Sequence, residues 1–123
     1  MATFDDVRRL GLAWPEVTES TSYGTPSLKV RGKSFCRMWG EREHRRDGAV
    51  GSAVLVVFCE LAAKDALIEA HEDVLFSTPH YQGYGAMLIR LDDVGPEDLA
   101  DWLEDSYRLK APPKLVRLLD TTG

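Results

Sequence analysis

The chain has 123 residues, 44% of them hydrophobic and 28% charged, with a net charge of −5. That length suits one domain able to bury a core, and an acidic total excludes a generally basic nucleic-acid binder. Its two cysteines, Cys36 and Cys59, form no CxxC, so zinc-ribbon and thioredoxin-type chemistry lack their usual signature, and a reduced, buried pair is expected.

In chain order, the opening MATFDDVRRL mixes acids and arginines without an apolar core, unlike a signal peptide. It predicts a helix over residues 3–12, capped by Thr3 with Asp6 three residues on, and with Phe4, Val7 and Leu10 on one face. Trp14-Pro15 ends it. Residues 16–23 read as a first strand. Residues 27–30 and 33–39 flank Arg31-Gly32 as a hairpin, with glycine supplying a positive φ. A plain two-residue turn places Leu28, Val30, Lys33, Phe35, Arg37 and Trp39 on one face, and Ser27, Lys29, Ser34, Cys36 and Met38 on the other. Both faces are mixed, so the register stays open. Residues 40–51, containing EREHRRDG, read as a polar loop.

AVLVVFC (residues 53–59) is an unbroken apolar run, expected to be a central strand. A helix follows over residues 62–71 with Ala63, Leu67 and Ala70 along its stripe and Ala66 beside it. A short strand (residues 74–77), the turn-rich TPHYQGYG and another strand (residues 86–91) come next. Pro96 opens a helix whose acids Glu97, Asp98 and Asp101 lie early and whose cations Arg108 and Lys110 lie late, as the helix dipole favours. Leu99, Trp102, Leu103 and Tyr107 form its apolar stripe, with Ser106 beside them. A terminal helix spans residues 113–119. Strands clustered between helices predict an α+β fold: a two-layer sandwich of a largely antiparallel sheet with helices on one face and the other face partly open.

Charge is unevenly placed. Residues 27–46 carry Lys29, Arg31, Lys33, Arg37, Arg42, Arg45 and Arg46 against Glu41 and Glu43, a net +5 within a chain of −5. These cations either neutralise phosphates of DNA, with Trp39 stacking on bases, or form a solvated strand edge. The constrained loop holding His80, Tyr81 and Tyr84 reads as a rigid entry to a strand or as the wall of a groove. No G-x-S-x-G marks a nucleophile, GAVGS (residues 48–52) lacks the ending of a P-loop, and His44, His71 and His80 show no ligand spacing. A non-enzymatic protein without metal or cofactor is therefore expected.

The ordered pieces PSLKVRGKSFCRMW, AVLVVFC, FSTPHYQGYGAMLIRL and PEDLADWLEDSYRLKAP together resemble the MmcQ/YjbR family over nearly the whole chain. The resemblance implies a sandwich of the frataxin-like or secretion-chaperone-like kind and DNA binding through hairpins. It highlights Lys33, Phe35, His80 and Tyr107. The loop departs from the family pattern H-x-N-K-x-x-W, since His80-Tyr81-Gln82-Gly83-Tyr84-Gly85 has neither the lysine nor the tryptophan. Two functions follow as expectations for a cytoplasmic protein with no membrane contact. One is DNA binding through the basic hairpin and loop. The other is capture of a protein or small ligand on the open sheet face, with Phe35, His80, Tyr81, Tyr84 and Tyr107 lining the groove.

Overall fold

The structure, a computed structural model, describes residues 2–22, 24–46 and 53–122. Tyr23, the last residue of the expected first strand, and residues 47–52, with the GAVGS segment, lie outside the described residues. The elements are α1 (Phe4–Gly11), β1 (Val17–Ser22), β2 (Thr25–Val30), β3 (Lys33–Met38), α2 (Glu41–Arg46), β4 (Val54–Phe58), α3 (Leu61–Ala70), β5 (Leu75–Phe76), a 3-10 turn (Pro79–Tyr81), β6 (Ala86–Arg90), α4 (Pro96–Lys110) and α5 (Pro113–Thr122). The strands form one antiparallel sheet in the order β1-β2-β3-β4-β6-β5. The expected α+β sandwich is the fold found.

Apolar spacing explains the main layer. Val7 of α1, Leu99, Leu103 and Tyr107 of α4, and Leu115 of α5 pack with Leu28, Val30, Leu55, Val57, Met87 and Ile89 of the sheet. The α3 stripe differs from expectation. Lys64, Leu67 and Ile68 turn inward while Ala66 and Ala70 are exposed, because the alanines offer little surface to bury. β4 is apolar throughout because both of its faces are covered. Leu55 and Val57 meet the helices, while Val54 and Val56 join a second cluster with Trp39, Tyr81, Ala86 and Leu88.

The hairpin turns on Arg31 (φ 49°) and Gly32 (φ 81°), two positive values that fit the twist of a two-residue turn. Val30 pairs with Lys33 and Lys29 with Ser34, but Leu28 pairs with Cys36, so Phe35 is an extra residue, a β-bulge. The bulge corrects the plain two-residue register. Phe35 joins Leu28 and Val30 in the main core, and Arg37 and Trp39 go to the opposite face. There Arg37 pairs with Val56.

The bulge also disturbs the β3–β4 ladder. Trp39 donates its backbone N–H to the Val54 carbonyl, and the alternating pattern runs through the Arg37–Val56 pair and would then bond Phe35 to Phe58. The Ser106 side chain stands in that place. Its Oγ accepts from the Phe58 N–H at 2.8 Å and donates to the Phe35 carbonyl. One hydroxyl of α4 thus satisfies two backbone groups and fastens the helix to the sheet. Nearby, the Tyr107 hydroxyl donates to the Pro15 carbonyl at 2.8 Å, and Trp14, Phe35 and Tyr107 form a ring cluster with centroids 5.3–6.2 Å apart. Ser106→Ala leaves a buried donor and acceptor without partners, so it should cost about 2–4 kcal/mol. Urea unfolding measures this; a loss below about 0.5 kcal/mol would mean that β3 and β4 closed the rung directly.

Candidate functional site

The face of the sheet away from α4 is unequal across its width. Over β1–β3 it is hydroxylated: the Ser27 Oγ lies 2.9 Å from the Ser34 Oγ and is bonded to the Ser22 hydroxyl. Over β4–β6 it is apolar, floored by Val56, Phe58, Ala86 and Leu88. Arg37 stands at the seam. It donates to the Glu43 carboxylate of α2 at 2.7 Å, to the Tyr81 hydroxyl at 3.0 Å and to the Met38 carbonyl at 3.3 Å. The Arg37 and Glu43 side chains are only 15% and 13% exposed, so this ion pair is largely shielded from water.

α2 corrects the expected polar loop. Six residues without an apolar stripe do not hold a helix alone. Here Glu43 is tied to Arg37, and the His44 ring meets the Trp39 ring edge to face at 5.1 Å. Trp39 is 5% exposed and its indole N–H has no hydrogen-bond partner among the described residues. It is therefore a support for α2, not the base-stacking residue expected from the sequence. Phe35 and Tyr107 are also corrected: both are fully buried in the main core and line no groove.

The loop after β5 forms the opposite wall. Its anchor is Lys64, a residue 3% exposed, whose ammonium donates to the carbonyls of Tyr81 at 2.6 Å and Tyr84 at 3.0 Å. Burial lowers the Lys64 pKa, and Cys59 and Asp65 oppose that shift. Tyr81 is thus held at both ends, by Lys64 on its carbonyl and Arg37 on its hydroxyl. Gly85 continues the ladder by accepting from the Cys59 N–H, so close that an added Cβ would lie 2.6 Å from the Cys59 carbonyl oxygen.

Between these walls lie two adjoining hollows. One, of about 490 Å³, is lined by Phe58, Cys59, Tyr84, Gly85, Leu109 and Lys110 together with His80 and Tyr81. The other, of about 730 Å³, has Arg37, Arg42, Glu43, Arg46 and Val56 around the same Phe58, His80 and Tyr81. Each lies within the usual range of ligand sites. The Lys110 ammonium sits 4.1 Å from the centre of the Phe58 ring. Arg42 and His80 have no hydrogen-bond or ion-pair partner among the described residues, and both are exposed to the groove.

The cations of residues 27–46 do not all gather on one surface: Arg37, Arg42 and Arg46 share one hollow, and the rest lie elsewhere. Arg31 and Lys33 stand at the hairpin tip, and Arg42, Arg45 and Arg46 follow the other end of β3, about 17 Å away for a six-residue strand. Arg31 holds Glu16 through two bonds of 2.9 and 3.0 Å, and Arg45 pairs with Glu41 at 3.4 Å. Lys29, on the hydroxylated part of the face, is half-buried. Of the C-terminal cations, Arg108 is bound to Glu104 and Asp120, and Lys110 enters the groove. Phe58 and Lys64 were not singled out from sequence as site residues. Phe58 looked like one more apolar position of a central strand, and Lys64 lies outside the alanine and leucine stripe expected for α3.

Burial pushes the Glu43 carboxyl up, but the bond from Arg37 and the backbone N–H groups outweigh it, so its pKa lies below the ordinary 4.5. A carboxyl depressed by folding contributes stability above its unfolded pKa and loses it as pH falls through the folded value. Acid should therefore loosen α2 below about pH 4.5. The Trp39 indole N–H resonance should move in that range, and Glu43→Gln should abolish the transition. An unchanged transition in the variant would show that another group controls α2.

The described residues include no helix long and apolar enough to cross a membrane. An uncharacterized protein of Mycobacterium bovis and one of Mycobacterium tuberculosis are each 29% identical to this chain over 128 residues, covering 95% of both partners. In fold, the chain is similar to the crystal structure of the Deinococcus radiodurans protein DR2400, a DUF419 domain. The TM-score is 0.68 at 23% identity, covering 89% of this chain and 78% of that one. The YjbR family model matches residues 12–109, and the chain belongs to the YjbR family.

Proposed function

We propose that this protein is a non-enzymatic binding module that takes a small anionic ligand in the groove between α2 and the His80–Tyr84 loop. The observation that carries this reading is the placement of Arg42 and His80, both without hydrogen-bond or ion-pair partners among the described residues, at one apolar-floored hollow. Arg46 and Lys110 add positive charge along the same groove. Arg37 is already engaged with Glu43 and Tyr81, so it shapes the wall and orients α2.

DNA binding through the hairpin is the other reading. A duplex rewards a row of cations set against successive phosphates. The separation of Arg31 and Lys33 from α2 and the pairing of Arg31 with Glu16 favour the compact ligand.

Two experiments separate them. Inorganic phosphate, added under two-dimensional NMR, should shift the amides of Arg42 and His80, and Arg42→Ala should weaken binding roughly tenfold or more, the usual worth of a charged hydrogen bond. Lys33→Glu should leave it unchanged. Duplex DNA, followed by fluorescence anisotropy at low and physiological salt, should show no steep salt-dependent binding. Binding to DNA that is lost in Lys33→Glu but kept in Arg42→Ala would overturn the groove in favour of the hairpin.

A further inference from the structure

We propose that the ligand of this groove is a flat aromatic ring bearing an anionic group, a deepening that rests on the anion-binding function just proposed. The hollow beside Phe58 has an unusual floor. Phe58 pairs across the ladder with Ala86, and Gly85 next to it is closed to any side chain by the Cys59 carbonyl. A methyl group and bare backbone therefore make a low, level surface beside the Phe58 ring. Its rims are apolar and exposed: Tyr84 is 64% exposed on one side and Leu109 is exposed on the other. A planar ring covers such a shallow surface better than a branched aliphatic group, and aromatic side chains favour offset or edge contact with it.

Charge gives the ring its substituent and its direction. Lys110 already occupies the Phe58 ring at 4.1 Å, and the next hollow opens past His80 onto Arg42 and Arg46. A ring seated on Ala86 and Gly85 places its anionic group beside His80, toward Arg42. Among the described residues, the one carboxylate lining this path, Glu43, is bonded to Arg37. The site therefore offers cations at both ends of an apolar bed, which suits an aryl phosphate or an aryl carboxylate and disfavours a neutral ring.

The test uses three probes with the intact protein: 1-naphthyl phosphate, 1-naphthol and inorganic phosphate, each titrated by two-dimensional NMR. The naphthyl phosphate should shift the amides of Tyr84, Ala86 and Arg42 together and bind at least tenfold more tightly than either of the other probes, as expected for one aromatic stack. Tyr84→Ala, at an exposed position, should weaken it about tenfold and leave inorganic phosphate unaffected; Phe58→Leu provides a second variant on the floor. Inorganic phosphate binding as tightly as the naphthyl phosphate would overturn the aromatic class while leaving an anion-binding groove. Naphthol binding equally well, or no probe shifting the groove, would overturn both.

Discussion

One extra residue in β3 decides what each face of the sheet carries. Without the bulge at Phe35, the hairpin alternation would keep Phe35, Arg37 and Trp39 on the same side. With it, the aromatic ring goes to the α4 side, and the arginine and indole go to the other. The displaced rung of the ladder is then completed by Ser106. A hydroxyl from the helix layer thus compensates for an irregularity in the sheet. That irregularity brings Arg37 to the one place where it reaches both Glu43 and Tyr81.

From Arg37 the constraint spreads outward by hydrogen bonds. Glu43 fixes α2, Tyr81 fixes the loop, and Lys64 ties the same loop to α3. A buried ammonium is costly unless its donors are satisfied, and two backbone carbonyls meet much of that need. The groove walls are therefore positioned by polar groups that are themselves engaged. Arg42 lies exposed on the rim, where water keeps the cost of an unpaired charge small. The binding function proposed for the groove would draw on this arrangement, since supporting groups that are already locked leave less to order when a ligand arrives.

The parts of the fold governed by local pattern were legible in the sequence. The 3.6-residue spacing of Leu99, Trp102, Leu103, Ser106 and Tyr107 matches their burial in α4, and the apolar run of β4 matches a strand covered on both faces. Arg31-Gly32 marked its own turn. Other parts depend on contacts that no local pattern encodes. EREHRR has no apolar face, so its helix exists through Arg37 and Trp39 and looked like a loop. The bulge has no residue signature beyond the mixed character of both hairpin faces. The groove joins the end of β4, the loop after β5, α2 and the last turn of α4, so its residues share no spacing. The His80–Tyr84 loop was singled out because proline and glycine announce a constrained turn, whereas Phe58 and Lys64 carried no such mark.

The unequal edges of the sheet bear on how the protein behaves in a crowded solution. β5 contributes only Leu75 and Phe76, too short a template for an incoming strand to extend. β1 is the longer edge, but it reads VTESTS, and its Glu19 is held by Arg8 of α1 at 2.6 Å. A strand of hydroxyls with a pinned carboxylate offers a neighbouring chain little apolar surface to join. The sheet thus resists edge-to-edge growth at both ends, so the length and composition of its edge strands, and not a covering partner, keep it from polymerising.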